Sequence, residues 1–159
     1  MPYWLVKEEP SHYAYRDLAR DGATDWSGVH NALAQRYLKA MRPGDPVYYY
    51  HSGPERAVVG IARVASAPRP DPGDARGAWT VRLAAVRPLP APVPLSAIRA
   101  DPAFAAFDLV RISRLSVMPV PPALWARIGS MARPATGAPT GRARATAPPA
   151  RARGARRRR

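Results

Sequence analysis

The composition of the chain changes abruptly at Arg133, and this boundary limits what can fold. From Arg133 to the last residue only Arg, Ala, Pro, Thr and Gly occur. Such a segment has no large apolar side chain to bury, so nothing offsets the conformational entropy that ordering it would cost. We therefore predict one folded domain over residues 1–132 and a disordered basic tail over residues 133–159.

Positive charge is concentrated in this tail. The chain has 25 Lys and Arg against 11 Asp and Glu, for a formal net charge of +14, and the tail holds nine of the arginines and no acid. Polyanions are therefore the expected partners. The tail, which ends in Arg156, Arg157, Arg158 and Arg159, is either an electrostatic arm that binds phosphates without sequence preference or a solubilising extension.

Residues 1–132 carry enough large apolar side chains for one small core, from Trp4 and Leu5 near the start to Leu124 and Ile128 near the end. The chain has no cysteine, which excludes a thiol nucleophile, a disulfide framework and a cysteine-based metal site. No apolar stretch approaches the length of a membrane span, and no signal-peptide pattern follows Met1. We expect a cytoplasmic protein without a membrane partner, whose charge is compatible with association with the nucleoid.

Short strands and short helices are interspersed along residues 1–132. Strands are predicted at residues 3–7, 47–51, 57–65, 79–86 and 115–120, and helices at residues 15–20, 30–41, 95–99 and 121–131. A proline-rich connection is predicted between residue 86 and the helix at 95–99. The regular βαβ rhythm of a doubly wound domain is absent. The pattern predicts an α+β domain built on a curled, partly closed sheet.

The sequence offers little catalytic chemistry. His12, His30 and His51 belong to no metal-binding pattern, and neither a phosphate-binding glycine loop nor a nucleophile-elbow motif occurs. The neighbouring carboxylates Glu8 and Glu9 would point to opposite faces of a strand. We therefore predict no metal, no cofactor and no enzyme activity. The alternative is a nucleic-acid-processing enzyme that uses Glu9 or His51 as an acid/base group.

Aromatic residues are concentrated near polar residues in the first eighty positions. Trp26 lies in a predicted loop, where packing gives little reason for a tryptophan, and three tyrosines at residues 48–50 lead into His51 and Ser52. An aromatic face replaces the stacking that a flipped base loses, about 1–3 kcal/mol per base. The pattern indicates recognition of one base, with Trp26 as the stacking platform. Asn31 is either a base-edge group or the cap of the next helix.

Several segments resemble the EVE domain in one unbroken order. Residues 3–10, YWLVKEEP, are similar to its opening pattern Y-W-L-x-K-[ST]-E-P, and residues 26–31, WSGVHN, are similar to its W-x-G-V-R-N segment. Further matches follow in the family's order at residues 37–41, 44–45, 49–52, 70–72, 79–81 and 114–119. The resemblance spans residues 2–131, which makes it more specific than any single short motif.

The resemblance implies a PUA-like fold, a curled, mostly antiparallel sheet or open barrel of about five to six strands with surrounding short helices. It also implies a non-catalytic domain that binds a flipped, modified base. The expected base is methylated or hydroxymethylated cytosine in DNA, and the alternative is a modified nucleotide in tRNA or rRNA. Carried over by position, the base pocket would comprise Lys7, Glu9, Trp26, Asn31, Tyr50, His51, Ser52 and Trp79, and phosphate contacts would come from His30 and Arg114.

Two positions depart from the family's pattern. Glu8 stands where a small hydroxyl residue is usual, which adds negative charge beside the expected pocket. His30 replaces an arginine, which weakens a phosphate contact at neutral pH. These departures bear on the identity of the ligand more than on the fold.

Overall fold

The computed structural model describes residues 2–133. The predicted folded domain lies almost wholly within this range. The predicted tail, with Arg156, Arg157, Arg158 and Arg159, lies outside the described residues apart from Arg133.

The described residues form short helices and strands. The strands are β1 (Tyr3–Glu8), β2 (Ala23–Asp25), β3 (Pro46–His51), β4 (Ala57–Val64), β5 (Arg69–Pro70), β6 (Trp79–Thr80), β7 (Arg82–Pro94) and β8 (Val117–Val120). The helices are α1 (Pro10–Tyr13), α2 (Tyr15–Asp21), α3 (Ala32–Ala40), α4 (Leu95–Ala100), α5 (Asp108–Arg111) and α6 (Pro122–Met131), with a 3-10 turn at Pro102–Phe104. The elements that were not predicted, α1, β2, β5 and α5, have at most four residues and are too short to show a hydrophobic period.

Six strands form one sheet in the order β2-β7-β4-β3-β1-β8, and β5 pairs with β6 separately. Within the large sheet every neighbouring pair is antiparallel except β1 and β3, which run parallel. The register shifts between Tyr49 and Tyr50 on β3 and twice along the β4–β7 pair. Such irregularities bend a sheet and increase its twist. The predicted α+β fold with a curled, mostly antiparallel sheet of five to six strands is confirmed.

The core lies between the sheet and the helices packed against it. Tyr48, Tyr49 and Tyr50 are all at most 3% exposed, so every tyrosine of β3 belongs to the interior. Trp4 is also buried, and its indole Nε1–H donates to Asp45 Oδ2 at 2.9 Å. The carboxylate of Asp45 accepts a second hydrogen bond from the backbone of Arg42, which satisfies this buried acid.

The predicted strand at residues 79–86 is wrong in its bounds. Trp79 and Thr80 belong to the small sheet, while β7 begins at Arg82 and continues to Pro94 through the segment that was predicted as a connection. The short β2 covers only residues 82–84 of β7, so the rest of that edge is open. Prolines are tolerated at an open edge because no neighbour requires their missing N–H. The proline-rich composition therefore concealed an edge strand.

The start of α3 resolves the alternatives for Asn31. The helix was predicted over residues 30–41, but it begins at Ala32, and Asn31 is its N-cap. Asn31 Oδ1 accepts a hydrogen bond from the backbone N–H of Ala34 at 3.0 Å. This oxygen is therefore engaged in capping, which leaves the side-chain NH2 group for other contacts.

Gly60 on β4 is packed against a tyrosine ring. A Cβ added at this glycine would lie 2.5 Å from Cε1 of Tyr15, closer than side-chain atoms approach each other. The ring cannot retreat easily, because Tyr15 is buried and its hydroxyl donates to the carbonyl of Ile61 at 2.6 Å. The absence of a side chain at residue 60 thus allows α2 to pack closely on the sheet.

We therefore expect Gly60→Ala to lower the free energy of unfolding by about 1–3 kcal/mol, because the new methyl group overpacks the α2–β4 contact. Urea denaturation of the two proteins measures the difference. Gly73→Ala is the matched control, since a Cβ there would meet only Asp71 Oδ1 at 3.5 Å, and it should change stability by less than about 0.5 kcal/mol. Equal effects of the two substitutions would contradict the packing role of Gly60.

Candidate nucleic-acid interface

The ends of β1 and β3 organise the candidate site. The two strands are parallel, with Lys7 opposite Tyr50 and Glu8 opposite His51. Their carboxyl ends therefore lie side by side. The backbone N–H of Ser52 donates to the carbonyl of Glu8 at 2.9 Å and extends this pairing by one residue. Since successive strand residues point to opposite faces, Lys7 and Glu8 contribute to two different hollows.

The first hollow, here called the tryptophan hollow, has a volume of about 230 Å³. Its lining residues are Glu8, His12, Tyr13, Thr24, Asp25, Trp26 and Ser27. They come from the end of β1, from α1 and from β2 with the residues that follow it. Trp26 was predicted as the stacking platform, and the structure places it in the wall of this hollow.

Trp26 is held firmly by its surroundings. It is only 6% exposed, and its ring meets the edge of Tyr49 in a T-shaped contact with 5.5 Å between centroids. Its backbone N–H donates to Val81, and its carbonyl accepts from Thr80 Oγ1. The indole therefore has a fixed orientation, with one small part of its surface available to the hollow.

The rim of the tryptophan hollow is acidic. The Glu8 carboxylate lies 3.6 Å from His12 Nδ1. Asp25 forms ion pairs with Arg69 at 3.0 Å and Arg82 at 3.2 Å. The hydrogen bond from Arg69, followed by that from Arg82, lowers the pKa of the Asp25 carboxyl and keeps it ionised. Two carboxylates thus face this hollow, although the charge of Asp25 is offset by its two arginines.

The second hollow, here called the cationic cavity, has a volume of about 370 Å³. Its lining residues are Lys7, Tyr50, Ser52, Gly53, Arg56, Leu95, Arg99, Leu109 and Ser113. Three of them are cations and none is a carboxylate. The Lys7 ammonium donates to the Ser113 carbonyl at 2.7 Å and lies 5.7 Å from the centre of the Tyr50 ring. Burial lowers the pKa of Lys7 below its usual value.

His51 is engaged on both ring nitrogens. Its Nε2 accepts from the backbone N–H of Tyr15 at 3.0 Å, so the neutral ring carries its hydrogen on Nδ1. Nδ1 lies 2.8 Å from Glu55 Oε1, where it donates to that carboxylate. The residue is 8% exposed, and it lines neither of the two hollows. The structure gives His51 a role in connecting β3 to α2.

Asn31, Trp79 and His30 lie in a third region, around the start of α3. Gln35 Oε1 accepts from the backbone N–H of Trp79 at 2.9 Å, and the Lys39 ammonium lies 5.3 Å from the centre of the Trp79 ring. His30 Nε2 lies 2.6 Å from Asp74 Oδ2, and this contact lowers the pKa of the Asp74 carboxyl. A phosphate at His30 would therefore compete with a carboxylate that is already bound there.

The remaining predicted residues lie near the cationic cavity. Glu9 packs against Gly53, where an added Cβ would lie 3.1 Å from Glu9 Oε1, and Ser11 Oγ donates to its other oxygen at 3.3 Å. Arg114 is exposed and directly follows Ser113, which lines the cavity. Among residues 2–133, Arg114 has no carboxylate within ion-pair distance.

The structure thus distributes the predicted residues over separate places. Lys7, Tyr50 and Ser52 share the cationic cavity, Trp26 lines the hollow on the other face, and Asn31 and Trp79 lie apart from both. Sequence reasoning missed the other lining residues, among them Tyr13, Ser27, Arg56, Arg99 and Ser113. Arg56 follows shortly after the Tyr50–Ser52 segment and could have been noticed there. Arg99 has no sequence signal, since it comes from α4, far along the chain.

Within residues 2–133, no group of three or more His, Asp or Glu side chains could hold a metal ion. No helix in the same range has the length and apolar character that crossing a membrane requires.

The contacts of His51 lead to a stability prediction. His51→Leu should lower the free energy of unfolding by about 1–3 kcal/mol, because the buried N–H of Tyr15 loses the acceptor that it has among residues 2–133. Chemical denaturation measures this change. Glu55→Gln is the control, since that side chain is 43% exposed and its loss of charge should cost less than about 1 kcal/mol. If His51→Leu were as stable as the parent, the connecting role of the imidazole would be wrong.

The chain is similar to proteins of known structure. A model of the EVE domain family matches residues 2–131. The NMR structure of a protein from Rhodopseudomonas palustris is 40% identical, with a TM-score of 0.79, and the match covers 83% of this chain and 93% of that one. Human THYN1 protein, solved in complex with 5-methylcytosine-containing DNA, is 22% identical with a TM-score of 0.76, covering 85% of this chain and 99% of that one.

A more distant likeness extends the comparison of folds. The YTH domain of the Zygosaccharomyces rouxii MRB1 protein, solved in complex with N6-methyladenosine RNA, has a TM-score of 0.53 at 16% identity, covering 83% of this chain and 86% of that one. These neighbours confirm the PUA-like architecture that the sequence resemblance implied.

Curated relatives cover a shorter part of the chain. Chicken thymocyte nuclear protein 1 is 32% identical over 81 residues, which make up 43% of this chain and 34% of that protein. The chain thus spans about a third of the length of the curated relatives that it matches. The family match, by contrast, covers almost all of the described residues. The chain belongs to the EVE domain family.

Proposed function

We propose that this protein is a non-catalytic reader of nucleic acid that accepts one flipped, modified base, with methylated or hydroxymethylated cytosine in DNA as the expected ligand. The observation that carries the proposal is the tryptophan hollow, a small concavity with a rigidly held indole in its wall. The fold shared with human THYN1 protein, which was solved with 5-methylcytosine-containing DNA, supports the choice of ligand.

The tryptophan hollow has the size and lining that a single base requires. A volume of about 230 Å³ is large enough to admit one base. The rings of Trp26 and Tyr13 can replace part of the stacking that the base gives up on leaving a helix, about 1–3 kcal/mol per stacked base. Because Tyr49 and the backbone carbonyl of Val81 already fix Trp26, little conformational entropy is lost on binding.

Polar groups around the indole suit the edge of a base. The hydroxyls of Thr24 and Ser27 can each donate and accept a hydrogen bond. Ser27 Oγ lies 3.3 Å from Thr80 Oγ1, which limits the orientations it can take. Such groups distinguish bases by their hydrogen-bonding edges, while the volume that remains beside them decides whether a methyl substituent fits.

The arrangement of acids and bases favours binding without chemistry. Both nitrogens of His51 are engaged in structural contacts, and the residue lies outside both hollows. Glu9 packs against Gly53 and faces the other side of the sheet edge from the tryptophan hollow. His51 Nδ1 is paired with Glu55, but its Nε2 already accepts from the Tyr15 backbone, so within residues 2–133 neither ring nitrogen is left to exchange a proton with a substrate. Prolonged incubation with labelled substrate, compared between the parent and Glu9→Gln, tests this part of the proposal.

RNA is the second candidate ligand. It is favoured by the likeness to a YTH domain that was solved with N6-methyladenosine RNA. Competition between DNA and RNA oligonucleotides of matched sequence, each with and without the modified base, separates the two. If modified RNA binds preferentially, RNA replaces DNA as the proposed ligand, and the tryptophan hollow remains the proposed site.

We expect Trp26→Ala to weaken binding of an oligonucleotide with one 5-methylcytosine by about tenfold or more, because it removes the stacking surface. Binding of the unmodified oligonucleotide should change much less. Fluorescence anisotropy with both oligonucleotides measures the effect. Trp26→Phe keeps an aromatic face and should retain part of the preference, which separates the stacking role from a general loss of structure. Equal losses on modified and plain DNA would argue against a base at Trp26.

We also expect Glu8→Ser, which introduces the residue type usual in the family, to strengthen DNA binding by about threefold at low salt. The substitution removes a carboxylate from the acidic rim, and with it the repulsion of the DNA phosphates. Binding measured over a salt series should show the gain shrinking as salt rises. Asp25→Asn should act in the same direction, since it removes a second carboxylate from the rim and releases Arg69 and Arg82 from their ion pairs. A decrease in affinity for Glu8→Ser would contradict this account of the rim.

A further inference from the structure

The cationic cavity has the properties of a second binding site. It lies at the carboxyl ends of β1 and β3, on the face of the sheet opposite the tryptophan hollow. We propose that it binds a phosphate monoester or inorganic phosphate, held by Lys7, Arg56 and Arg99 together with the hydroxyl of Tyr50. The proposal does not depend on which base, or whether any base, occupies the tryptophan hollow.

The charge of the cavity is not balanced by the protein. Among residues 2–133, none of the ion pairs includes Lys7, Arg56 or Arg99. The carboxylate that lies near the rim is that of Glu9, which packs against Gly53 and does not line the cavity. Three cations around one concavity repel each other unless an anion lies between them. The lowered pKa of Lys7 shows that burial of its ammonium is not fully compensated.

The Tyr50 hydroxyl supplies an independent indication of a ligand. Tyr50 is 3% exposed and lines the cavity, yet within the described part of the chain its hydroxyl has no hydrogen-bond partner. The other tyrosines of β3 each donate to a backbone carbonyl. Arg56 and Arg99 are near enough to oppose the effect of burial, which raises the pKa of Tyr50. A buried donor without an acceptor is costly, and a phosphate oxygen between the guanidiniums would satisfy it.

The number of donors favours a phosphate with several free oxygens. Besides the three cations and Tyr50, the cavity offers the hydroxyls of Ser52 and Ser113. A terminal phosphate has three free oxygens and carries up to two negative charges, whereas a phosphodiester has two free oxygens and one charge. The volume of about 370 Å³ also leaves room beside the phosphate for an attached sugar, against the apolar walls formed by Leu95 and Leu109.

The test compares three probes with the full chain at high salt, which suppresses diffuse binding by surface arginines. The probes are inorganic phosphate, an oligonucleotide with a 5′-phosphate and the same oligonucleotide with a 5′-hydroxyl. Binding is measured by anisotropy for the oligonucleotides and by ¹H–¹⁵N NMR shifts at Ser52 and Gly53 for all three. We expect the 5′-phosphate to strengthen binding by about tenfold, as a few charge-assisted hydrogen bonds would.

Arg99→Ala should abolish this advantage, and Tyr50→Phe should reduce it without changing the charge. Arg16→Ala is the matched control, because Arg16 is exposed on α2 and lines neither hollow, and it should keep the advantage. The advantage should also be the same whether or not the oligonucleotide carries a 5-methylcytosine, so that failure of the base-pocket proposal is distinguishable from failure of this one.

Two results would support the site and identify the source of its phosphate. A 5′-phosphate advantage assigns the cavity to the end of a nucleic acid. Saturable shifts at Ser52 and Gly53 with inorganic phosphate, lost in Arg99→Ala and without any advantage for the oligonucleotide, assign it to free phosphate. The proposal is overturned if no probe shifts these residues, or if Arg16→Ala weakens binding as much as Arg99→Ala does.

Discussion

The parallel pairing of β1 with β3 is the constraint on which the candidate site depends. It brings residues more than forty positions apart in the sequence into register, with Lys7 opposite Tyr50 and Glu8 opposite His51, and it ends both strands at one edge of an otherwise antiparallel sheet. Because side chains alternate along a strand, the carboxyl ends of β1 and β3 contribute to one hollow on each face of the sheet. A shift of one residue in the register would exchange the contents of the two hollows.

The two hollows differ in charge, and the proposals above assign them to different parts of a ligand. The tryptophan hollow combines aromatic surface with hydroxyls and an acidic rim, and a neutral base can enter it at lower electrostatic cost than a phosphate. The cationic cavity has three positive side chains and no lining carboxylate, the arrangement that phosphate requires. If both proposals hold, placing these two chemistries in separate hollows would let the same domain discriminate a base and retain a phosphate independently.

The fold could be predicted from local patterns and from the family resemblance, whereas the site could be predicted only in part. The hydrophobic runs predicted β1, β3 and β4 to within one residue, and the pair Pro121-Pro122 predicted the start of α6 to within one residue. The prolines of β7 hid a strand, because their effect depends on an open edge that sequence does not show. Trp26 was recognisable as a loop tryptophan. Arg99 was not, since its place beside Lys7 is set by how α4 packs, and Asn31 was ambiguous because capping and base reading need the same side chain.

The most direct test of the account uses the indole N–H signals of the four tryptophans in ¹H–¹⁵N NMR spectra of the full chain. The protein is titrated with one oligonucleotide that carries a single 5-methylcytosine and with its unmodified counterpart. The account predicts that the Trp26 signal shifts with the modified oligonucleotide and much less with the plain one, while the Trp79 signal responds equally to both. Modification-dependent shifts at Trp79, with Trp26 unchanged, would contradict the placement of the base and move the site to the start of α3.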